Sequence, residues 1–156
     1  MQKDQRQHFA NWQHLYDQYA TDILRTCYLL LKDKDAAEIA VQETFIQIGC
    51  GSGYLAPGNM ISEKACLLQI AMDHCRGLSG KSTSGSPDLY KTVSHGGEEE
   101  RLLRGIAGLD DKLRQTTLLF YYQQLTMREV AYVQRSSVWL VKLRLLQAVR
   151  QLRMLA

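Results

Sequence analysis

"LTMREVAYVQRSSVWLVKLRLLQAVRQL", residues 125–152, is the stretch on which the fold of this chain turns. Two runs of helical periodicity flank the short polar segment Gln134-Arg135-Ser136, which is the outline of a helix-turn-helix. Thr126 with Glu129 three residues on forms a capping box that starts the first helix. Ser136 or Ser137 caps the second. At about 100° per residue, Val138, Val141, Leu145, Ala148, Val149 and Leu152 share one face of that second helix, the expected core stripe. The opposite face holds Trp139, Leu140, Leu143, Leu146, Gln147 and Arg150.

The rest of the chain is also helical in pattern. At 156 residues it suits one or two small domains, and two prolines with abundant Leu, Gln and Ala indicate an all-α protein. Apolar residues at Phe9, Trp12, Leu15, Tyr16, Tyr19, Ile23, Cys27 and Leu30 draw one long helical face. "KDKD" interrupts it, and Asp35 with Glu38 is expected to cap a second helix whose buried stripe is Ala37, Ala40, Val41, Thr44, Phe45 and Ile48. Residues 49–59, rich in glycine and holding Pro57, form a loop. A third helix is predicted over 62–78, with Leu67, Ile70, Ala71, His74 and Leu78 on one side. The Ser/Gly-rich segment 79–98 lacks periodicity and reads as a flexible linker. It divides the chain into helical domains at 1–78 and 99–156, the second opening with helices near 99–106 and 110–124.

Several function classes find no support. The net charge of +3 permits nucleic-acid contact without demanding it. No apolar run reaches the roughly 18 residues of a membrane span, and "MQKDQRQHF" is no signal peptide, so a cytoplasmic chain without membrane insertion is expected. Cys27, Cys50, Cys66 and Cys75 have no metal-ligand spacing, and neighbouring His74 and Cys75 point to different helix faces. "SGKSTSGS" lacks the frame of a phosphate-binding loop, and no Ser/His/Asp or Cys/His nucleophile set is present. An enzyme is not expected.

"DAAEIAVQETFIQI" (35–48) in the first half and "GLDDKLRQTTLLFYYQQLTMREVA" (108–131) in the second, in that order across a Ser/Gly linker, resemble an extracytoplasmic-function sigma factor of the sigma-70 superfamily. The resemblance runs over nearly the whole chain and rests most on Ala37, Glu38, Val41, Gln42, Glu43, Thr44 and Phe45 and on the series from Leu109 to Ala131. It implies a region 2-like domain that binds the clamp of bacterial core RNA polymerase and captures the melted −10 element of a promoter. It also implies a region 4-like domain that sets a helix-turn-helix into the −35 major groove. An anti-sigma factor is a further candidate partner, and no metal or small-molecule cofactor is implied. Carried over to this chain, Glu38 and Gln42 would face the polymerase, and Arg128, Arg135, Lys142, Arg144, Arg76 and Lys81 would meet DNA.

The chain departs from the family pattern at four places. Ala36 and Ile39 stand where acids are usual. The third helix carries Cys66-Leu67, Gln69, Met72-Asp73, Gly77 and Gly80-Lys81 where an aromatic and several cations are usual, leaving Arg76, Lys81 and Lys64 for phosphates and Tyr54 for stacking. On the outward face of the last helix, Trp139, Leu140, Leu143 and Leu146 replace short polar residues able to reach base edges. Arg135 occupies a turn position usually held by glycine, where a left-handed backbone costs an L-residue about 1 kcal/mol. Two alternatives follow: a diverged sigma-like protein that uses the patch Trp139, Leu140, Leu143 and Leu146 for contact with a partner, a second copy or its own other domain, and a stand-alone helix-turn-helix regulator.

Overall fold

The computed structural model describes residues 2–49, 61–78 and 94–155, with side chains from Trp12 onward. The side chain of Phe9, together with Cys50, Tyr54 and Lys81, lies outside the described residues. Among the described residues the elements are all helical: α1 (Gln2–Leu31), α2 (Lys34–Gly49), α3 (Glu63–Leu78), α4 (Gly97–Ala107), α5 (Asp111–Thr117) running into a π-helical turn (Leu118–Tyr122), α6 (Met127–Gln134) and α7 (Val138–Leu155).

The stripe expected on α2 is the buried one, residue for residue: Ala37, Ala40, Val41, Thr44, Phe45 and Ile48. Small residues at 37 and 40 let α1 approach closely. Phe45 then fills the space between the helices, with its ring edge-on to Tyr16 at 5.0 Å and to Trp12 at 6.4 Å. The Trp12 indole N–H donates to the Phe45 carbonyl, and Thr44 donates back to the carbonyl of Ala40 at 2.7 Å, so the polar atoms on this packed face have partners.

The cap of α2 differs from expectation by two residues. Oδ1 of Asp33, not Asp35, accepts from the amides of Asp35 and Ala36, at 3.0 and 3.3 Å. Both acids suit an N-cap by type, and the turn after Lys32, whose φ is 57°, leaves Asp33 at the non-helical position. α4 begins at Gly97, two residues inside the expected linker. On α3 the buried set is Ala65, Cys66, Leu67, Leu68, Ala71, Met72 and Cys75, while Ile70, His74 and Leu78 are half-buried. The buried face is broader than a single stripe because α3 is covered on two sides, by α1 and α2 and by α6.

That second contact joins the two halves. One apolar cluster runs without a break from Leu15, Ile23 and Phe45 through Leu67, Leu68 and Met72 to Leu119, Leu125, Val130, Val133, Val141 and Leu145. A smaller cluster gathers Leu103, Ile106, Leu109, Leu113, Leu118 and Ala148 around Leu29 of α1. Leu29 lies outside the stripe read for α1, which follows the face turned to α2 and α3.

The helix-turn-helix has the expected geometry, with one surprise in its turn. Thr126 Oγ1 accepts from the Glu129 amide and the Glu129 carboxylate accepts from the Thr126 amide, both at 3.1 Å, which completes the capping box. Ser137 caps α7, its hydroxyl accepting from the Leu140 amide at 3.2 Å. Arg135 takes φ 52° and ψ 44°, the left-handed conformation glycine would supply, so the turn keeps its shape without the glycine. On α7 Val141, Leu145 and Ala148 are buried, whereas Val149 and Leu152 are half-buried and Val138 is exposed, since it sits at the first turn beyond the edge of α6.

Candidate nucleic-acid interface

Phosphate contacts need cations that are free to face outward. Lys142 is exposed on α7, and Arg128 is exposed at the start of α6 while also interacting within the protein. The other candidates on the described residues are engaged within the protein. Arg144 donates to the Gln134 side chain at 3.1 Å. Arg135 grips Asp73 with both arms of its guanidinium, at 2.6 and 2.8 Å, and Arg76 reaches the same carboxylate at 3.2 Å. The Asp73 carboxyl is held below the usual carboxylate range, chiefly by the hydrogen bond from Arg135, with the Arg135 and Arg76 charges adding to it against its partial burial.

Arg135–Asp73 is one of a row of polar contacts between the halves. The Gln69 amide donates to the Tyr132 carbonyl at 2.7 Å, and Lys64 Nζ donates to the Gln123 carbonyl at 3.2 Å. The Gln123 amide donates to the Asp22 carbonyl at 3.0 Å and to the Thr26 hydroxyl. Gln123 reaches α1 from the end of the π-helical turn, where its backbone amide closes on the carbonyl of Leu118 at 3.0 Å.

At the centre of the row lies Glu129, buried, with its carboxylate between two helix N-termini. One oxygen accepts from the Thr126 amide that opens α6. The other accepts from the amide of Ser62 at 3.0 Å and from its hydroxyl. Ser62 in turn caps α3, its hydroxyl accepting from the Ala65 amide at 3.2 Å. Burial pushes the Glu129 pKa up, but the hydrogen bonds from Ser62 and Thr126 outweigh it and leave the carboxyl below its ordinary value. Two helix dipoles pointing at one anion act in the same sense. Sequence reading finds the Thr126–Glu129 half of this arrangement and misses the Ser62 half, for which no local pattern exists.

The polymerase-facing candidates lie together. Glu38 and Gln42 line a shallow groove of about 400 Å³ between α1 and α2, with Tyr16, Asp17, Thr21, Leu24 and Val41. Beside it, Ile39 is 46 % exposed and Ile46 55 %. The outward face of α7 is as apolar as read: Trp139 is 70 % exposed and Leu146 62 %, with Leu143 also exposed and Leu140 half-buried. No group of three or more His, Cys, Asp or Glu suited to a metal ion occurs among the described residues, and none of their helices is long and apolar enough to cross a membrane.

This architecture, helical through the described residues with a helix-turn-helix at the end, is shared with two solved structures. CnrH, solved in complex with the cytosolic domain of CnrY, superposes with a TM-score of 0.71 at 18 % identity, over 92 % of this chain and 86 % of its own. The sigma factor RpoE from Bartonella quintana, solved in complex with the anti-sigma factor NepR, superposes with a TM-score of 0.70 at 15 % identity, over 93 % of this chain and 96 % of its own. No protein-family model and no curated protein matches the sequence.

Proposed function

We propose that this chain is a sigma subunit of the extracytoplasmic-function type, which binds bacterial core RNA polymerase and directs it to promoters. The observation that carries the reading is the agreement of two independent facts. The sigma-like motifs at 35–48 and 108–131 stand in family order in the sequence, and the likeness in fold to RpoE extends over 93 % of the chain. The assignment is to a binding protein of the cytoplasm that performs no bond chemistry and holds no cofactor.

Residues 1–78 and 99–156 act as its two working units. The α1–α2 groove, with Glu38 and Gln42, offers the polymerase clamp a mixed polar and apolar ledge in which Ile39 takes the place of a usual acid. Lys142, Arg128, Arg135, Arg76 and Arg144 are the cations for phosphates, and those with internal partners exchange them for DNA. An anti-sigma factor that forms a complex with this chain, as NepR does with RpoE, is a natural regulator.

The test is retention on immobilised core polymerase, followed by transcription with that polymerase from the region upstream of the protein's own gene. Binding at micromolar concentration that is lost in Glu38→Lys/Gln42→Lys is the expected outcome. No retention of the wild-type chain at micromolar concentration would overturn the proposal.

A further inference from the structure

The outward face of α7 carries an apolar stripe at Trp139, Leu143, Leu146 and Met154, with exposures of 70 %, 36 %, 62 % and 87 %. At about 100° per residue these four lie within one quarter of the helix surface, opposite Val141, Leu145 and Ala148 in the core. From 139 to 154 the stripe runs for about 22 Å, at about 1.5 Å per residue. Such a length matches about four turns of another helix.

Charge decides what that helix is made of. Lys142 and Arg153 flank the stripe, and Arg150 stands within it between Leu146 and Met154. α7 contains Lys142, Arg144, Arg150 and Arg153 and not one acid. A second copy of α7 laid on the first would bring cations against cations with nothing to neutralise them. Duplex DNA would satisfy the charges, but Trp139, Leu143 and Leu146 would cover base edges without offering them a hydrogen bond. An amphipathic helix with leucine-like residues at helical spacing and Glu or Asp beside them satisfies both features at once.

We infer that this face is a docking site for an acidic amphipathic helix of a partner protein. The inference goes beyond the sigma reading and stands apart from it, since the stripe and its cations are properties of α7 alone. Docking and phosphate contact both use Lys142, so the acidic helix and DNA exclude each other there.

The experiment titrates the full chain with three synthetic 18-residue helical peptides of equal apolar pattern, flanked by Glu, by Lys, or by Glu in scrambled order. Two further probes are vesicles of anionic phospholipid and a non-specific DNA duplex, and binding is read from Trp139 emission and by calorimetry. The Glu peptide is expected to bind at least tenfold more tightly than either other peptide, shift Trp139 emission to the blue and displace the duplex. Leu143→Ser/Leu146→Ser should weaken it at least tenfold with the helical circular dichroism unchanged. Lys142→Glu/Arg150→Glu should reverse the preference toward the Lys peptide, a gain of binding that loss of folding cannot imitate. Equal binding of the Glu and Lys peptides overturns the inference. So does a shift of Trp139 emission on vesicles but not on the Glu peptide, or a concentration-dependent dimer that Leu143→Ser/Leu146→Ser dissolves.

Discussion

Replacing Glu129 by alanine should cost far more than the loss of a helix cap. The cap itself, the exchange between Thr126 and Glu129, contributes about 1 kcal/mol. The same carboxylate also takes two hydrogen bonds from Ser62 across the junction of the halves, and hydrogen bonds to a charged acceptor contribute about 1.5–3 kcal/mol. Because Glu129 is only 7 % exposed, water does not replace those partners cheaply. The expected loss is therefore about 3 kcal/mol, which for a chain of this size lowers the melting temperature by about 6–12 °C. Thr126→Ala, which removes only the cap, should lower it by about 2–4 °C. Thermal denaturation of the full chain measures both shifts, and in urea the cycle of Ser62→Ala with Glu129→Ala should show a coupling of about 1 kcal/mol. Equal costs for Glu129→Ala and Thr126→Ala, together with a coupling under about 0.5 kcal/mol, would show that the Ser62 bonds add nothing and refute the reasoning.

Other outcomes follow from the same contacts. Phe45→Ala empties the centre of the α1–α2 packing and should cost about 3–5 kcal/mol in urea denaturation. Arg135→Gly relieves the left-handed backbone but gives up an exposed ion pair, so the change in stability should be small at low salt. In 1 M salt, where the pair is screened, the glycine form should be the more stable by about 1 kcal/mol. Asp73 and Glu129 both have lowered pKa values in the fold, so their stabilisation is complete above the unfolded carboxylate values near about pH 4 and fades as pH falls through the folded ones. A pH series of urea midpoints should therefore drop more shallowly below about pH 4 in Asp73→Asn/Glu129→Gln than in the wild type.

Much of this architecture was legible in the residues. The α2 stripe, the capping box at Thr126, the two helices around Arg135 and the apolar outward face of α7 each follow from spacing within one element, where 3.6-residue periodicity and cap chemistry are local. The misses share a cause. Leu29, the second side of α3, and the partners of Asp73 and Gln123 depend on which helix lies against which, and sequence neighbours carry no record of that. Asp73 on its own is an unremarkable helix acid; beside Arg135 and Arg76 it takes two cations that a strictly sequential reading sends to DNA. The Asp33 cap differs for a smaller reason, since either of two nearby acids satisfies the rule and only the backbone turn at Lys32 chooses between them.

The π-helical turn at Leu118–Tyr122 has a consequence for how such a chain can change. It holds one residue more than the regular helix needs, so loss of any one residue there would restore ordinary winding without breaking the helix. The amide of Gln123 would then close on the same Leu118 carbonyl as an ordinary helical bond, so the chain beyond would keep its bearing. The π turn is thus a single inserted position, one that a deletion could remove in one step while leaving the other side chains in place.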